Sequence, residues 1–511
     1  MLRVRVSPRA PNLKEGAQIC KYSMTQKLKC LLFSAATSGA GTRSLGVNRI
    51  AHVLRDLGWD AEVIEWAGKW KLEQLKNLAK LRITSDTKFI GLSILFSGDW
   101  SLDLEEFILW IKHEYPHLQI ISGGQSKQVF CSSVDYHIDG FGEIALVELL
   151  KYLFSNGSRP RFELLTSSGR KTIDAISSYP AYPLDSYMVK YEDRDFIIPG
   201  ETLTIEFARG CKFSCDFCNF PILGVKGDYS RSSDDFREQV VDAYDRFGVT
   251  SYTAADETFN DRTEKITKFA DVVETLPFTL WFNGFIRADL LINRPRDREE
   301  LLRLNFINHY YGVESFNSAA AKAVSKGMNR DKLKNGLIDV RKYFETHGHK
   351  QYRGTLSFIV GLPGETEEDI LKTRQWTLTH WQDQWLEIYP LWIAREEYTR
   401  PSKISMNYKD YGYTEIDSVD ESDYKQVVAG PSINWQSSTM TFQQAKNISK
   451  EWHQEVVTSK LFKPGGFSLF KSPFFNLSIP ERLKLTVEEN LQQETLSYSF
   501  FKNYIEKKLN L

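Results

Sequence analysis

The chain is poor in cysteine and has no excess of charge of either sign. Six cysteines among 511 residues are too few for the disulfide framework that supports small secreted domains. Lys and Arg number 65 against 66 Asp and Glu, a net charge of −1, so the composition gives no reason to expect a nucleic-acid-binding patch. No apolar run reaches the roughly 18 residues that a membrane-spanning helix needs. These absences argue against a disulfide scaffold and a membrane span. Because few cysteines also favour a reducing compartment, we expect a cytoplasmic protein.

The first residues lack the features of a secretory signal. Residues 1–23 carry several basic side chains but no apolar stretch of about 7–15 residues, and we expect a disordered tail. Met24 leads directly into an apolar strand. We hypothesise that the natural protein starts there, which N-terminal mass spectrometry of the native protein would test.

Half of the cysteines stand close together. Cys211, Cys215 and Cys218 form a Cys-x-x-x-Cys-x-x-Cys pattern, with the aromatic Phe217 directly before the last thiol. Thiolates are the usual protein ligands of iron–sulfur clusters, and a four-iron cube normally takes four of them. Three local thiolates therefore predict a cube with one iron left open to a substrate or cofactor.

A zinc site and plain structural thiols are the alternatives for this triplet. A structural zinc ion needs a fourth ligand, usually Cys or His. No cysteine follows Cys218, and no histidine lies between His137 and His309. The pattern thus favours the cluster.

Residues 24–155 alternate between strand and helix patterns. Near-continuous apolar strands, such as 27–34 and 88–96, are separated by helices, which predicts a Rossmann-like, doubly wound parallel sheet. Such sheets bind ligands at the carboxyl ends of their strands, where this sequence is rich in Ser and Gly, as in Ser122-Gly-Gly124. The proline-containing residues 156–196 are predicted to be a linker.

Residues 197–385 repeat a strand followed by a helix, which predicts a partial (β/α) barrel of the TIM type in an α/β protein. The first strand, 202–207, runs into the cysteine loop, so the triplet lies at the carboxyl edge where barrel chemistry occurs. Residues 386–511 are predicted to be mostly helical and aromatic-rich. Two alternatives stay open for Tyr411, Tyr413 and Trp435: they line a substrate pocket, or they pack against the barrel.

The triplet, with Phe217 before its third cysteine, resembles the hallmark of the radical S-adenosylmethionine (radical SAM) superfamily. The resemblance implies that Cys211, Cys215 and Cys218 hold a [4Fe-4S] cluster whose open iron takes the amino and carboxylate groups of SAM. One electron from the cluster then cleaves SAM to methionine and a 5′-deoxyadenosyl radical. In such enzymes the cofactor carries the difficult chemistry, and the protein orients it and excludes water.

Further motifs follow the triplet in the order that this superfamily shows. They come after the second to fifth barrel strands, and the resemblance implies that they contact SAM, with Phe217 beside the cluster. The residues concerned are Asp256, Glu257, Arg287, Glu314, Ser315, Gly361 and Gly364. Each motif alone is more typical of a helix N-cap or a surface turn. Their order and spacing behind the triplet carry the inference.

The N-terminal domain resembles the cobalamin-binding domain of one large radical SAM class. That class typically has a Gly-Gly turn and a Gly-x-Gly-Glu turn, here Gly123-Gly124 and Gly140-Phe-Gly-Glu143. The axial-histidine motif Asp-x-His-x-x-Gly is missing from the first strand–helix loop. Asp135-Tyr-His-Ile-Asp-Gly140 matches its letters but lies after the fourth strand, and we treat the match as a coincidence. His52 lies in the middle of a helix. Bound cobalamin and a domain without the cofactor both stay open.

The resemblance implies a radical SAM enzyme that acts on a small-molecule or peptide substrate. With cobalamin, methyl transfer to carbon is expected; without it, the alternatives are a radical SAM oxidoreductase or isomerase, or a catalytically silent scaffold of the same fold. Methylthiolation is not expected, because that family needs three further N-terminal cysteines. Only Cys20, Cys30 and Cys131 remain, the first within the tail. A reductant such as flavodoxin or ferredoxin is the implied electron donor.

Overall fold

Two largely parallel β-sheets organise the chain. The structure is a computed structural model. It describes residues 28–35, 41–94, 101–124, 133–161, 163–165, 170–178, 188–219, 229–348, 351–395, 401–416, 432–474 and 476–510.

The first sheet has seven strands. They are β1 (Lys29–Ser34), β2 (Asp60–Ile64), β3 (Thr87–Ser93), β4 (Gln119–Gly124), β5 (Tyr136–Asp139), β6 (Glu163–Leu165) and β7 (Arg170–Asp174). Their order in the sheet is β2-β1-β3-β4-β5-β7-β6, parallel except for β6, which runs antiparallel to β7 at the edge.

Helices cover both faces of this sheet. They are α1 (Leu45–Asp56), α2 (Leu72–Arg82), α3 (Leu102–Glu114), α4 (Gly142–Phe154) and the short α5 (Ala175–Ser178). Successive residues of β1 enter two different apolar cores: Leu31 and Phe33 enter one, and Cys30 and Leu32 enter the other. Strands buried on both faces explain the near-continuous apolar sequence, and the predicted doubly wound sheet is confirmed.

Strands β6 and β7 lie within residues 156–196, the stretch interpreted as a linker. Strand β7 pairs in parallel with β5, and β6 folds back on it as a hairpin. Part of that stretch therefore belongs to the first sheet. The proline-containing residues 179–183 lie outside the described residues.

The second sheet begins at residue 202. The strands of this region are β8 (Thr202–Ile205), β9 (Ala208–Arg209), β10 (Tyr229–Ser230), β11 (Ser251–Ala254), β12 (Trp281–Phe285), β13 (Phe306–Glu314), β14 (Arg353–Val360) and β15 (Trp385–Pro390). Strands β8 and β11 to β15 lie side by side in chain order, each parallel to the next, whereas β9 and β10 form a small antiparallel pair. These six strands are the predicted partial barrel.

The two faces of the second sheet have different partners. On the outer face lie α6 (Ser233–Phe247), α7 (Thr263–Glu274), α8 (Ala288–Asn293), α9 (Arg296–Arg303), α10 (Ser318–Ala323), α11 (Arg330–His347) and α12 (Glu367–His380). The ring of His309 on β13, for example, packs 4.6 Å from that of Phe344 on α11. Polar side chains line the inner face, where Nδ2 of Asn283 donates to Oγ1 of Thr253 over 2.9 Å.

The C-terminal region is mostly helical, as predicted, and contacts both sheets. Its elements are α13 (Lys403–Met406), β16 (Thr414–Glu415), β17 (Trp435–Gln436), α14 (Phe442–Thr458), α15 (Gly466–Leu469), α16 (Ile479–Arg482) and α17 (Val487–Leu509). Arg482 donates to Oγ1 of Thr202 over 2.9 Å, so α16 lies at the amino-terminal end of the barrel strands. Helix α17 packs on the first sheet through Tyr504, whose ring lies 5.2 Å from that of Trp66. None of the described helices is both long and apolar enough to cross a membrane.

Candidate functional site

The cysteine loop follows β8 and β9 at the carboxyl edge of the second sheet. Cys211, Cys215 and Cys218 are half-buried thiols. The Sγ atom of Cys211 lies 3.5 Å from Oγ1 of Thr258, and Nη1 of Arg287 donates to Sγ of Cys215 over 3.7 Å. Thr258 follows β11 and Arg287 follows β12, so the loop lies against the ends of the next two strands.

The donor set suits an iron–sulfur cluster by its chemistry. Within the part of the chain that the structure describes, no three His, Cys, Asp or Glu side chains are grouped as ligands of one metal ion. A four-iron cube does not need such convergence, because it is normally held by four thiolates, one for each iron. Three partly exposed thiols in one short loop can each bind one iron of such a cube, which leaves the fourth iron without a protein ligand.

Phe217 lies beside Lys326, and Lys326 joins the cysteine loop to the end of β13. The Nζ atom of Lys326 is 5.8 Å from the ring centre of Phe217 and 3.1 Å from Oε1 of Glu314. It also donates to the carbonyl oxygen of Gly312 over 2.9 Å. Glu314 has φ of +66°, a value uncommon outside glycine. Backbone of this kind persists where surrounding contacts hold it, as they do at functional sites.

The buried carboxylate of Glu365 joins the turns that follow β13 and β14. Oγ of Ser315 donates to Oε1 of Glu365 over 2.5 Å, and the amide of Gly361 donates to Oε2 over 3.1 Å. Burial raises the pKa of Glu365 to about 7, against the opposing effect of these two donors. Gly361 and Gly364 have φ of +93° and +73°, which glycine adopts without strain. The two predicted SAM-contacting turns therefore form one connected unit.

Asp256 and Glu257 differ in their surroundings. The carboxylate of Asp256 accepts from the amide of Phe207 over 2.9 Å and lies 3.6 Å from Nζ of Lys265, inside the barrel wall. Burial raises the pKa of Asp256 to about 6, while Lys265 opposes the rise. Glu257 is half-buried, and desolvation raises its pKa to about 7. Of the two side chains, only that of Glu257 is partly exposed.

Arg287 contacts the cysteine loop by two means. Its guanidinium lies 3.7 Å from the ring centre of Phe213, besides donating to Cys215. Asp289 holds it in place with two hydrogen bonds of 2.9 and 2.7 Å. A fixed positive charge thus lies next to one thiol of the triplet.

The structure decides between the two alternatives for Tyr413 and Trp435. Both side chains are fully buried, and they pack behind the turn that follows β14. The hydroxyl of Tyr413 donates to the carbonyl of Gly361 over 2.7 Å, and Nε1 of Trp435 donates to that of Leu391 over 3.0 Å. They pack against the barrel. Tyr411 instead reaches the cysteine loop, where its hydroxyl donates to Asp216 over 2.7 Å.

A buried network of four charges links the cysteine loop to the first domain, and the motifs of the sequence did not reveal it. Arg209, two residues before Cys211, pairs with Glu143 at the start of α4 and with Glu206 over 3.0 Å. Arg49 of α1 pairs with the same two carboxylates, over 2.6 Å to Glu206 and 3.8 Å to Glu143. Glu143 belongs to the Gly-x-Gly-Glu turn, so that turn has a docking role here.

The carboxyl edge of the first sheet shows why Gly124 is glycine. Its φ is +132°, and a Cβ there would lie 2.0 Å from the carbonyl oxygen of Ile94. Nearby, Nδ1 of the buried His137 lies 2.9 Å from Oγ of Ser122, between β4 and β5. His52 lies 3.4 Å from Asp56 on its own helix. Residues 36–40 and 95–100, which include most of the other Ser/Gly turns, lie outside the described residues.

Comparison with known proteins places the barrel in a family. Residues 205–377 match the sequence profile of the radical SAM superfamily, so the chain carries a radical SAM domain. A putative methylthiotransferase of Methanocaldococcus jannaschii is 30% identical over 188 residues, which are 35% of this chain and 39% of that protein. A tRNA-2-methylthio-N(6)-dimethylallyladenosine synthase of Bordetella avium is 26% identical over 185 residues, 34% of this chain and 38% of that protein. The chain thus matches less than two-fifths of the length of these relatives.

Solved structures share more of the fold. The radical SAM methyltransferase TsrM from Kitasatospora setae, with cobalamin and a [4Fe-4S] cluster bound, has a TM-score of 0.63 at 10% identity and covers 93% of this chain and 100% of its own. The cobalamin-dependent SAM radical enzyme OxsB, with aqua-cobalamin bound, has a TM-score of 0.54 at 17% identity and covers 75% of this chain and 56% of its own. At these identities the likeness is one of fold.

Proposed function

We propose that this chain, which carries a radical SAM domain, is an enzyme that binds a [4Fe-4S] cluster and cleaves SAM reductively to act on a substrate C–H bond. When bound, the cluster supplies the electron that splits SAM into methionine and a 5′-deoxyadenosyl radical. Cys211, Cys215 and Cys218 are the proposed ligands. The observation that carries the proposal is that their loop contacts the ends of β11 and β12 through Thr258 and Arg287.

The residues around the loop have separate roles in this proposal. Arg287 places a positive charge beside Cys215, and charge and hydrogen bonds at the sulfurs tune the potential of such clusters. We assign Glu257 and the turn at Glu314-Ser315 to the polar groups of SAM, as the resemblance implies. The turn from Gly361 to Glu365 supports Ser315 through the Glu365 carboxylate. Phe217 and Lys326 keep the cysteine loop against the Glu314 turn.

We propose further that the first domain binds cobalamin at the carboxyl edge of its sheet, which makes methyl transfer to carbon the expected reaction. The bound cobalamin in the structures of TsrM and OxsB, which share this fold, supports the proposal. The chain itself offers no axial histidine among its described residues at that edge, because His137 is held by Ser122 inside the sheet and His52 lies beside Asp56 on α1. Residues other than histidine would then hold any bound cobalamin at this edge.

Methylthio transfer is a second candidate, favoured by the names of the two partial relatives. Such a reaction needs sulfur from a further cluster, for which the resemblance requires three more cysteines. Cys30 lies within β1 and is fully buried, so it is a core residue, and only Cys20 and Cys131 remain. These positions support one cluster per chain. An oxidoreductase or isomerase without cobalamin, and a silent scaffold, are the remaining alternatives.

The proposal includes a cytoplasmic, reducing environment and a reductant such as flavodoxin or ferredoxin. Both follow from the chemistry, because a low-potential electron is needed and a thiol-ligated cluster requires reduced cysteines.

Iron analysis and product detection on anaerobically reconstituted protein test the proposal. We expect about four iron atoms per chain and dithionite-dependent formation of 5′-deoxyadenosine. The triple variant Cys211→Ala/Cys215→Ala/Cys218→Ala should lose both, whereas Cys30→Ala should keep both, since it removes only a buried core thiol. About eight iron atoms per chain would favour methylthio transfer. A fully loaded cluster without 5′-deoxyadenosine would favour the scaffold. Cobalamin is detected separately by its visible spectrum after co-purification.

A further inference from the structure

The inner face of the barrel is open on one side. Among the large apolar side chains that are markedly exposed in the described residues, only Phe285 and Tyr389 lie on strands, with exposures of 41% and 49%. They lie at the end of β12 and near the end of β15. Because helices cover the outer face, exposed strand side chains here face the barrel interior, which is therefore accessible to a ligand.

Tyr310 and Gly312 complete this open surface. The ring of Tyr310 packs 4.9 Å from that of Phe285, and Phe467 of α15 closes the pair from below at 5.2 and 5.4 Å. The Oε1 atom of Glu314 lies 2.5 Å from where a Cβ would stand on the exposed Gly312, two residues further along β13. The carbonyl oxygen of Gly312 accepts from Lys326, the partner of Glu314. The open surface therefore adjoins one of the proposed SAM-binding turns.

Glu387 supplies a charge to the same surface. Nε1 of Trp385 donates to its Oε1 over 2.8 Å, and the hydroxyl of Tyr389 donates to its Oε2 over 2.9 Å. These two donors fix a half-buried carboxylate that can still accept further hydrogen bonds, since an ionised carboxylate offers about four acceptor sites. No Lys, Arg or His of the described chain lies within ion-pair distance of it, in contrast to Glu314.

We infer that Phe285, Tyr310, Glu387 and Tyr389, together called the acidic aromatic wall, form a substrate-binding subsite for a cationic or N–H-bearing group attached to an aromatic or other flat apolar body. A carboxylate pairs with ammonium or N–H donors, and tyrosine and phenylalanine faces attract both cations and flat rings. The inference deepens the proposed function, because it names the substrate class of the same barrel. An anionic substrate is disfavoured by the uncompensated charge of Glu387.

The wall also lies close to the expected site of reaction. Tyr389 pairs with Ile359 across β14 and β15, two residues before Gly361, and Gly312 lies two residues before Glu314. A group held on the wall therefore lies under both proposed SAM-contacting turns. Proximity of this kind is what hydrogen abstraction from a bound substrate needs.

Binding of two matched probes to the cluster-loaded enzyme tests the inference. Tryptamine carries an ammonium on an aromatic body, and indole-3-propionate carries a carboxylate on the same body. Anaerobic titration calorimetry without reductant should show tighter binding of tryptamine. Glu387→Gln should weaken tryptamine binding by at least about tenfold, because a hydrogen bond to a charged group is lost, and should leave indole-3-propionate equal or improved. Tyr389→Phe, which keeps the ring but frees the carboxylate, should cause a smaller loss for tryptamine.

Glu368→Gln, on the surface of α12 beside Lys372, is the matched control and should change neither affinity. No measurable tryptamine binding, equal binding of both probes, or an unchanged affinity in Glu387→Gln would overturn the inference. Thermal melting of each variant checks that it is folded. 5′-Deoxyadenosine formation, measured on the same preparations, distinguishes failure of this inference from failure of the proposed function. SAM cleavage can be absent while the enzyme still prefers tryptamine, and SAM cleavage can occur in an enzyme that binds both probes equally.

Discussion

The hydroxyl of Tyr411 donates a 2.7 Å hydrogen bond to Asp216, the residue that follows the second cysteine of the triplet. Ser325 and Lys403 donate to the same carboxylate over 3.0 and 3.1 Å, and the amide of Ile404 donates to the carbonyl of Asp216 over 2.9 Å. Although burial opposes it, these donors hold the pKa of Asp216 below its usual range. The C-terminal region thus fixes the conformation of the cysteine loop.

We therefore expect Tyr411→Phe to loosen the loop. Loss of a hydrogen bond to a charged group costs about 1.5–3 kcal/mol, and removal of iron by a chelator from the reconstituted protein should accelerate by about tenfold or more. The rate is followed by the visible absorbance of the cluster. Tyr408→Phe, at the start of the same turn, is the control and should release iron at the wild-type rate. Equal rates of iron release for Tyr411→Phe and wild type would show that the hydroxyl of Tyr411 is not needed to hold Asp216 and the cysteine loop in place.

A second prediction concerns the buried network formed by Arg49, Glu143, Glu206 and Arg209. The four charges balance, so Glu143→Gln leaves two guanidinium groups facing one carboxylate. Breaking a buried pair in this way costs about 3–5 kcal/mol. We expect a marked loss in the free energy of unfolding, measured by urea denaturation, and a lower melting temperature.

Two comparisons isolate the effect of that pairing. Glu148 lies on the same helix and forms a partly exposed ion pair with Lys151. Glu148→Gln should therefore change the free energy of unfolding by less than about 1 kcal/mol. The double variant Glu143→Gln/Arg209→Gln restores the charge balance and should be less destabilised than the sum of its single variants. Additive losses would mean that Glu143 and Arg209 act independently.

The sequence indicated the architecture because parallel sheets leave strong local signals. Continuous apolar strands predict both sheets, and the rule that parallel strands end at one edge predicts that the cysteine loop lies beside the ends of β11 and β12, where Thr258 and Arg287 contact it. No local pattern in the sequence predicts the contact between Asp216 and Tyr411. The two residues are 195 positions apart, and neither sits in a periodic pattern that names its partner.

Other differences have local causes. Strands β6 and β7 have only three and five residues, too short for a clear alternation, whereas the prolines of the same stretch favour a linker. The sequence predicts a mostly helical C-terminal region, but the packing of helix α17 on Trp66 of the first domain depends on the docking of two sheets. Such docking is decided by long-range side-chain fit, as in the pairing of Arg209 with Glu143, and not by local propensity.

The turn after β14 makes a third prediction through two glycines. Gly361 and Gly364 both have positive φ, but only at Gly361 would a Cβ meet a neighbour, 2.5 Å from Cη2 of Trp435. Positive φ costs a non-glycine residue about 1–2 kcal/mol, and overpacking adds about 1–3 kcal/mol. We expect Gly361→Ala to lower the free energy of unfolding more than Gly364→Ala does, and the difference should equal the cost of overpacking against Trp435. Urea denaturation of both variants measures the difference, and equal losses would mean that Trp435 moves aside.

The buried carboxyl of Glu365 makes the last prediction, a dependence of stability on pH. Its pKa rises from an ordinary 4.5 to about 7 in the folded protein because of burial, so the folded state binds a proton more tightly than the unfolded state. The stabilising contribution is fully present below pH 4.5 and is lost as the pH rises toward 7. The difference between the two pKa values corresponds to about 3 kcal/mol.

Glu365→Gln should remove this dependence, since glutamine stays neutral at every pH. The free energy of unfolding of the variant, minus that of wild type, should increase by about 3 kcal/mol between pH 4.5 and pH 8. Urea denaturation across this range measures the difference. Ser315→Ala removes a donor that favours the charged carboxylate, so its own stability should fall more steeply over the same range than that of wild type. A constant difference between Glu365→Gln and wild type would mean that folding leaves the pKa of Glu365 unshifted, so that a carboxylate anion holds the turns at Ser315 and Gly361 together at neutral pH.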